Sequence, residues 1–218
     1  MRYLSYFFYI GWHWGISMAF FIIWYEIRGE KHFGVKTIGT DDLVTHVPAA
    51  ELEHASMYEP VNYYTGTWLL DHVEKHELDT AFLDAGCGKG RVLAMAAAYG
   101  FKHITGIDFA PRLYNDALET ATALENRYAD CKVDVVCADA RKYDIPDQVG
   151  VIFLFNPFDE VIMNDFIDQV MESLIRKPRA LKILYANPQC KQLWLDASFK
   201  EVATFQKLKY LRGSVLTF

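Results

Sequence analysis

FLDAGCGKGR, residues 82–91, is the stretch on which the reading of the whole chain turns. Phe82 and Leu83 close an apolar run, Asp84 follows, and glycines then occupy alternate positions at Gly86, Gly88 and Gly90. An apolar run that breaks into alternate glycines predicts a buried strand turning sharply into a helix. Glycine serves there because the turn needs backbone angles closed to side chains, and because a ligand must come close to the main chain. The segment that follows, VLAMAAAYG, carries Ala96, Ala97 and Ala98, small enough for a helix to lie close on a sheet. These features predict a ligand cradle at the carboxyl end of the first strand of a doubly wound α/β sheet.

Spacing narrows the ligand. The dinucleotide fingerprint sets its third glycine three residues after the second, whereas Gly90 follows Gly88 by two, so an NAD-dependent oxidoreductase is disfavoured. A phosphate loop needs Lys followed by Ser or Thr, and Lys89 is followed by Gly90. D-x-G-x-G-x-G after a strand resembles motif I of the class I S-adenosyl-L-methionine (SAM) dependent methyltransferases, whose ligand presents an amino acid moiety and a sulfonium. The resemblance implies that Gly86, Cys87, Gly88 and Gly90 shape the methionine pocket and that Asp84 balances the ligand ammonium, directly or through water. A tight turn without a ligand is the structural alternative.

Further along, HITGIDFA (residues 103–110) predicts a short strand ending in Asp108, 18 residues after Gly90, the distance of a helix and a return to the adjacent parallel strand. This resembles motif II of the family, which implies that Asp108 accepts the ribose hydroxyls and Phe109 contacts the adenine. A purely structural role for Asp108 would be to cap the helix predicted over Pro111 to Tyr128. KVDVVC (residues 132–137) predicts the third strand and leads into Ala138-Asp139-Ala140, where the family often places an acid that accepts from the adenine amino group. VIFLF (residues 151–155) is continuously apolar, as a central parallel strand covered on both faces should be.

That fourth strand ends in Asn156-Pro157-Phe158-Asp159. Amino-group methyltransferases often carry there an Asn, Asp or Ser, two prolines and an aromatic, and Dot1-like lysine methyltransferases carry an Asn and a Phe; both resemblances are partial. They imply that Asn156 and Phe158 position a nitrogen acceptor, the Asn carbonyl oxygen orienting an amine lone pair. A strand terminator with a local Asn bond is the alternative. An amphipathic helix follows over residues 159–176, with Ile162, Phe166, Val170 and Leu174 at i, i+4 steps. Then come a strand over Ala180 to Pro188, a short helix over Gln192 to Ala197, and strand-like runs over Glu201 to Leu208 and Gly213 to Phe218. By the resemblance this is a seven-stranded, mostly parallel Rossmann-like sheet with helices on both faces, the last strand inserting beside the fifth.

Upstream, a helix is expected over residues 61–77. In the family this segment covers the cofactor and walls the substrate pocket, which makes Tyr58, Tyr63, Tyr64 and Thr65 pocket candidates; aromatic core packing explains them as well. Residues 29–56 read as a connector with at most a short helix over Pro48 to His54. Residues 3–25 contain no Asp, Glu, Lys or Arg, and at about 1.5 Å per residue would cross a hydrocarbon core of about 30 Å. Tyr and Trp near both ends fit interfacial belts, while Gly11, His13 and Gly15 in the middle oppose a span. Three readings stay open: a membrane anchor with the catalytic domain in the cytoplasm, an interfacial or partner-binding helix, and a helix buried on a soluble cytoplasmic domain. The division expected is a hydrophobic helix over 1–28, a connector over 29–56 and a methyltransferase domain over 57–218.

Composition limits the partners. A net charge of −6 argues against a nucleic acid held on a broad basic surface. Cys87, Cys131, Cys137 and Cys190 form no C-x-x-C pair and suggest a reducing compartment. His72 and His76 in HVEKH lack the Glu that a zincin carries directly after its first His, so no metal is expected. The reading is a SAM-dependent methyltransferase acting on a nitrogen of a protein or small molecule, with a non-catalytic SAM-binding scaffold as its competitor.

Overall fold

The computed structural model describes residues 2–37, 59–155 and 158–218. Its centre is one seven-stranded sheet: β1 (Ala81–Ala85), β2 (His103–Asp108), β3 (Lys132–Cys137), β4 (Val149–Phe155), β5 (Lys182–Ala186), β6 (Lys200–Lys207) and β7 (Leu211–Thr217). The order is β3-β2-β1-β4-β5-β7-β6. The first five strands run parallel, and β7 lies antiparallel between β5 and β6. The last strand thus inserts beside the fifth, as expected.

Helices cover both faces: α1 (Arg2–Trp14), α2 (Ile16–Phe33), α3 (Tyr63–Leu70), α4 (Arg91–Tyr99), α5 (Pro111–Arg127), α6 (Glu160–Arg176) and α7 (Lys191–Asp196). Because side chains alternate along a strand, each central strand feeds two cores. Phe82, Val151 and Phe153 join Leu93 and Phe101 on one side. Leu83, Ile152 and Leu154 join Phe166 and Trp194 on the other. The strand order reverses between β1 and β4, whose carboxyl ends therefore open a crevice, the place where such sheets bind ligands.

Two expectations are corrected. The helix expected over 61–77 stops at Leu70, and a separate 3₁₀ turn occupies Lys75–Asp79. The cause is tertiary: Lys182 on β5, itself buried, donates from Nζ to the His72 carbonyl (2.7 Å) and to Glu77 Oε2 (2.6 Å), and the chain must turn to supply both. Glu77 also accepts the Glu74 N–H at 2.7 Å, which starts the new turn.

The second correction concerns the apolar amino-terminal run. Among the described residues no helix is long and apolar enough to cross a membrane. The run breaks at Gly15, which sits at φ 95°, into α1 and α2. These fold back on each other, with the Phe7 and Phe20 rings 4.9 Å apart. Ile10, Met18, Ala19 and Ile22 are buried. Gly29 lies so close against Tyr63 that a Cβ there would stand 2.2 Å from the ring. α2 runs on to Phe33, past the boundary expected at 28, and buries Glu26 against the domain. The opposite face stays apolar and exposed, with Phe8, Phe20, Trp24 and, most open at 88 %, Trp12. The helix expected over 48–54 and Tyr58 lie outside the described residues.

Candidate active site

The turn after β1 holds Gly86, Gly88 and Gly90 at φ 81°, 54° and 82°, the left-handed region that favours glycine. Its backbone is pinned to β2: the Gly86 and Cys87 N–H groups both donate to the Ile107 carbonyl at 2.9 Å. The Gly88 N–H donates to Asp108 Oδ2 at 2.9 Å, and Asp108 Oδ1 accepts the Ala110 N–H at 2.9 Å. The glycine turn and the acid one strand over therefore face each other. Burial raises the Asp108 pKa against the opposing pull of these two N–H groups.

Asp84 stands at the floor of this turn, 3 % exposed, and its Oδ2 has no hydrogen-bond partner. Burial, with the Asp108 charge adding, pushes its pKa well above the ordinary carboxylate range. A carboxylate oxygen with no donor, beside a second carboxylate and under a backbone cradle, is a place for a cationic ligand group. Cys87 in the same turn has its thiol pushed well up by burial and by both acids, so it stays protonated and unreactive.

Arg91, the first residue of α4, ties this turn to the amino-terminal hairpin. Its guanidinium pairs with Glu26 through Nη1–Oε1 and Nη2–Oε2, both 2.8 Å, and all of it is buried. It also donates to the Val61 carbonyl at 2.8 Å and to Thr37 Oγ1 at 2.6 Å. Nothing in the sequence around Arg91 signals this partner 65 residues away.

A cavity of about 270 Å³ opens over the carboxyl ends of β4 and β5. The hairpin contributes Tyr6, Trp14, Met18 and Ile22; the start of α3 and the residues before it contribute Glu59, Asn62 and Thr65. Phe155 from β4, Asn187 and Gln189 after β5, Lys209 from the β6–β7 turn and Arg212 from the start of β7 complete it. Glu59 is exposed by surface area, yet its carboxyl is crowded by the walls, and that crowding, with the Glu26 charge adding, raises its pKa.

Residues 82–179 match the family model described as a methyltransferase domain. The chain therefore carries a methyltransferase domain in that span, on the fold of the class I SAM-dependent methyltransferases. Among solved structures, the human methyltransferase 10 domain containing protein is similar at 13% identity over 90% of this chain and 95% of that one, with a TM-score of 0.57. The PH0226 protein from Pyrococcus horikoshii OT3 is similar at 18% identity, 72% and 91% coverage and a TM-score of 0.53. Magnesium protoporphyrin IX methyltransferase (ChlM) from Synechocystis PCC 6803, solved with bound SAM, is similar at 15% identity, 71% and 75% coverage and a TM-score of 0.51. At these identities the likeness is one of fold. No curated protein matches the sequence. SAM is the cofactor of this methyltransferase, and the unpartnered Asp84 oxygen in the glycine cradle fits its ammonium and sulfonium charges.

Other expected site residues fall differently in the methyltransferase. The Asp139 carboxylate is engaged by Arg141, through its N–H and Nε at 3.0 Å and its Nη2 at 2.7 Å, which holds its pKa below the usual range. It caps the 3₁₀ turn Ala140–Lys142, and Ala140 is core. Phe109 is half-buried beside Asp108, its carbonyl accepting from Cys137 Sγ at 3.7 Å. Phe158 is 8 % exposed and packs on Phe166 with ring centres 5.7 Å apart, in the core rather than in the cavity wall. Tyr63 stacks on Phe33 at 5.5 Å, with Arg91 4.2 Å over its ring, and burial pushes its pKa up to about 12. Tyr64 packs on Phe21 and Tyr25 under Lys207. Of the four pocket candidates, Thr65 lines the cavity. Asn156, like Tyr58, lies outside the described residues.

Sequence reasoning missed the hairpin wall, because an apolar run looks the same whether lipid or protein covers it. It also missed Asn187, although the Asn187-Pro188 pair follows β5 in sequence as Asn156-Pro157 follows Phe155.

Proposed function

We propose that this methyltransferase moves a methyl group from SAM to a nitrogen of a small molecule or protein held in the cavity over β4 and β5. The observation that carries the reading is the buried, unpartnered oxygen of Asp84, on β1 two residues before a glycine turn that Asp108 ties down. When bound, SAM supplies a methyl group on a sulfonium, a strong leaving group. Asp84 neutralises the ligand ammonium. Asp108 keeps Gly88 and Ala110 in place and, since each carboxylate oxygen can accept two hydrogen bonds, still has lone pairs for ribose hydroxyls. Gly86, Cys87, Gly88 and Gly90 form the methionine pocket.

Asn156, one residue beyond the cavity-lining Phe155, orients the acceptor lone pair along the line of displacement, and alignment supplies most of the acceleration in such a transfer. The hairpin residues Tyr6, Met18 and Ile22 keep water off the acceptor. Asp139 serves by shaping the loop beside the adenine through its grip on Arg141. Titration calorimetry on the full chain tests the cofactor part: Asp108→Ala is expected to abolish SAM binding, and unchanged affinity would remove the ribose assignment. Asn156→Ala is expected to keep SAM affinity while transfer of labelled methyl to a cell extract is lost. Undiminished labelling would take Asn156 out of the scheme, and absence of labelling by the unaltered chain would favour a non-catalytic scaffold.

A further inference from the structure

The cavity over β4 and β5 has a polarity that identifies the chemistry of what it takes, given the reading of this cavity as the acceptor site. Asn62 is the N-cap of α3: its Oδ1 accepts the Tyr64 N–H at 3.0 Å. That bond fixes which way the amide points, because only the oxygen can accept. Its Nδ2 is thereby committed to face elsewhere, and it has no partner, although Asn62 is only 9 % exposed. Thr65, three residues on and so on the same helix face, is 3 % exposed, and its Oγ1 has no partner either. Both side chains line the cavity. Buried polar groups are nearly always hydrogen-bonded, so two neighbouring donors without partners mark the seat of an accepting atom.

The exposed rim adds charge. Arg212 donates from Nη2 to the neutral Asn187 Oδ1 at 3.1 Å, and Lys209 Nζ lies 5.8 Å over the Tyr210 ring. Against these two cations the described residues of the wall include one acid, Glu59. Between them stand the apolar side chains of Trp14, Met18 and Ile22. At about 270 Å³ the space lies at the small end of ligand sites.

We propose that the acceptor is a compact carboxylate with an apolar or aromatic body, its oxygens taking hydrogens from Asn62 and Thr65 and its charge balanced by Lys209 and Arg212. The test uses the full chain saturated with S-adenosylhomocysteine and calorimetric titration with 4-aminobenzoate, 3-aminobenzoate and indole-3-acetate, each against its primary amide and against benzylamine. A preference of at least about tenfold for carboxylates is expected, because charge-assisted hydrogen bonds are about twice as strong as neutral ones. Asn62→Asp keeps the oxygen that caps α3 while replacing the donor by a like charge. It is expected to remove that preference with SAM affinity retained, at the cost of a lower melting temperature, since the new carboxylate oxygen is buried without a partner. Arg212→Gln and Lys209→Gln are expected to weaken carboxylate binding and flatten its salt dependence. Normal SAM binding with no carboxylate bound, with amides or benzylamine bound equally well, or with Asn62→Asp indistinguishable from the unaltered chain, overturns the proposal alone. Failure of the unaltered chain to bind SAM overturns the methyl-transfer reading instead.

Discussion

Replacing Asp84 by Asn separates what this residue does for the ligand from what it costs the fold. The side chain keeps its shape and loses its charge. In the ligand-free protein the carboxyl is buried beside Asp108 with one oxygen unpartnered, and its pKa is raised by burial first and by Asp108 second. A carboxyl whose folded pKa lies above its unfolded value of about 3.9 stabilises fully below that value, and the contribution is lost as pH rises through the folded pKa. Asp84→Asn removes this loss, so the ligand-free variant should melt higher than the parent at neutral pH, with the gap closing as pH falls. A gain of about 1 kcal/mol, modest because the charge is removed while the amide stays a buried polar group, corresponds to about 2–4 °C for a chain of this size. SAM binding should move oppositely. Losing a charged hydrogen bond to the ligand ammonium costs about 1.5–3 kcal/mol, or roughly 10- to 150-fold in affinity. In the parent, SAM affinity should rise with pH through the raised Asp84 pKa, since only the ionised form pairs with ammonium; in the variant that rise should vanish. Differential scanning calorimetry and isothermal titration read both effects, and 5′-methylthioadenosine, which lacks the amino acid moiety, is the control whose affinity should not fall. Equal losses for SAM and methylthioadenosine, or a variant that melts lower, would refute the placement of Asp84 under the ligand ammonium.

The buried Glu26–Arg91 pair makes the hairpin part of the domain: Arg91→Met should cost about 3–5 kcal/mol by stranding Glu26, visible as a lower denaturant midpoint, and Glu26→Gln with Arg91→Met together should cost less than the sum. Gly90→Ala should destabilise by about 1–2 kcal/mol, because φ 82° is strained for a side chain, and its Cβ would press on Thr120 at 3.1 Å; SAM affinity should fall with it. A thiol-directed reagent at neutral pH should modify the exposed Cys137 and leave Cys87 untouched in the folded protein; mass spectrometry showing Cys87 modified first would contradict its burial.

Much of the fold was legible because the signals are local. The alternate glycines after Leu83, the acid 18 residues after Gly90, and the apolar run Val151 to Phe155 each report a short-range requirement of turn, strand end or buried strand, and the parallel crossovers follow from their spacing. The two closing strand-like runs were legible for the same reason, while their antiparallel insertion beside the fifth strand came from the family resemblance. What tertiary structure alone decided concerns partners distant in the chain. The charge-free run 3–25 is apolar enough for lipid, for a partner or for its own domain; the break at Gly15 and the ion pair between Glu26 and Arg91 turn one face of it onto the domain. Phe158 follows the sequence Asn156-Pro157 as an acceptor-contacting ring would, yet the position of Phe166 on α6 draws it into the core. Asp139 ends a strand as a cofactor acid would, and Arg141 claims its oxygens. Periodicity and turn chemistry are properties of neighbouring residues, whereas which face a side chain presents, and to whom, depends on how separate elements pack; that is why the cradle could be read from ten residues and the cavity beside it could not.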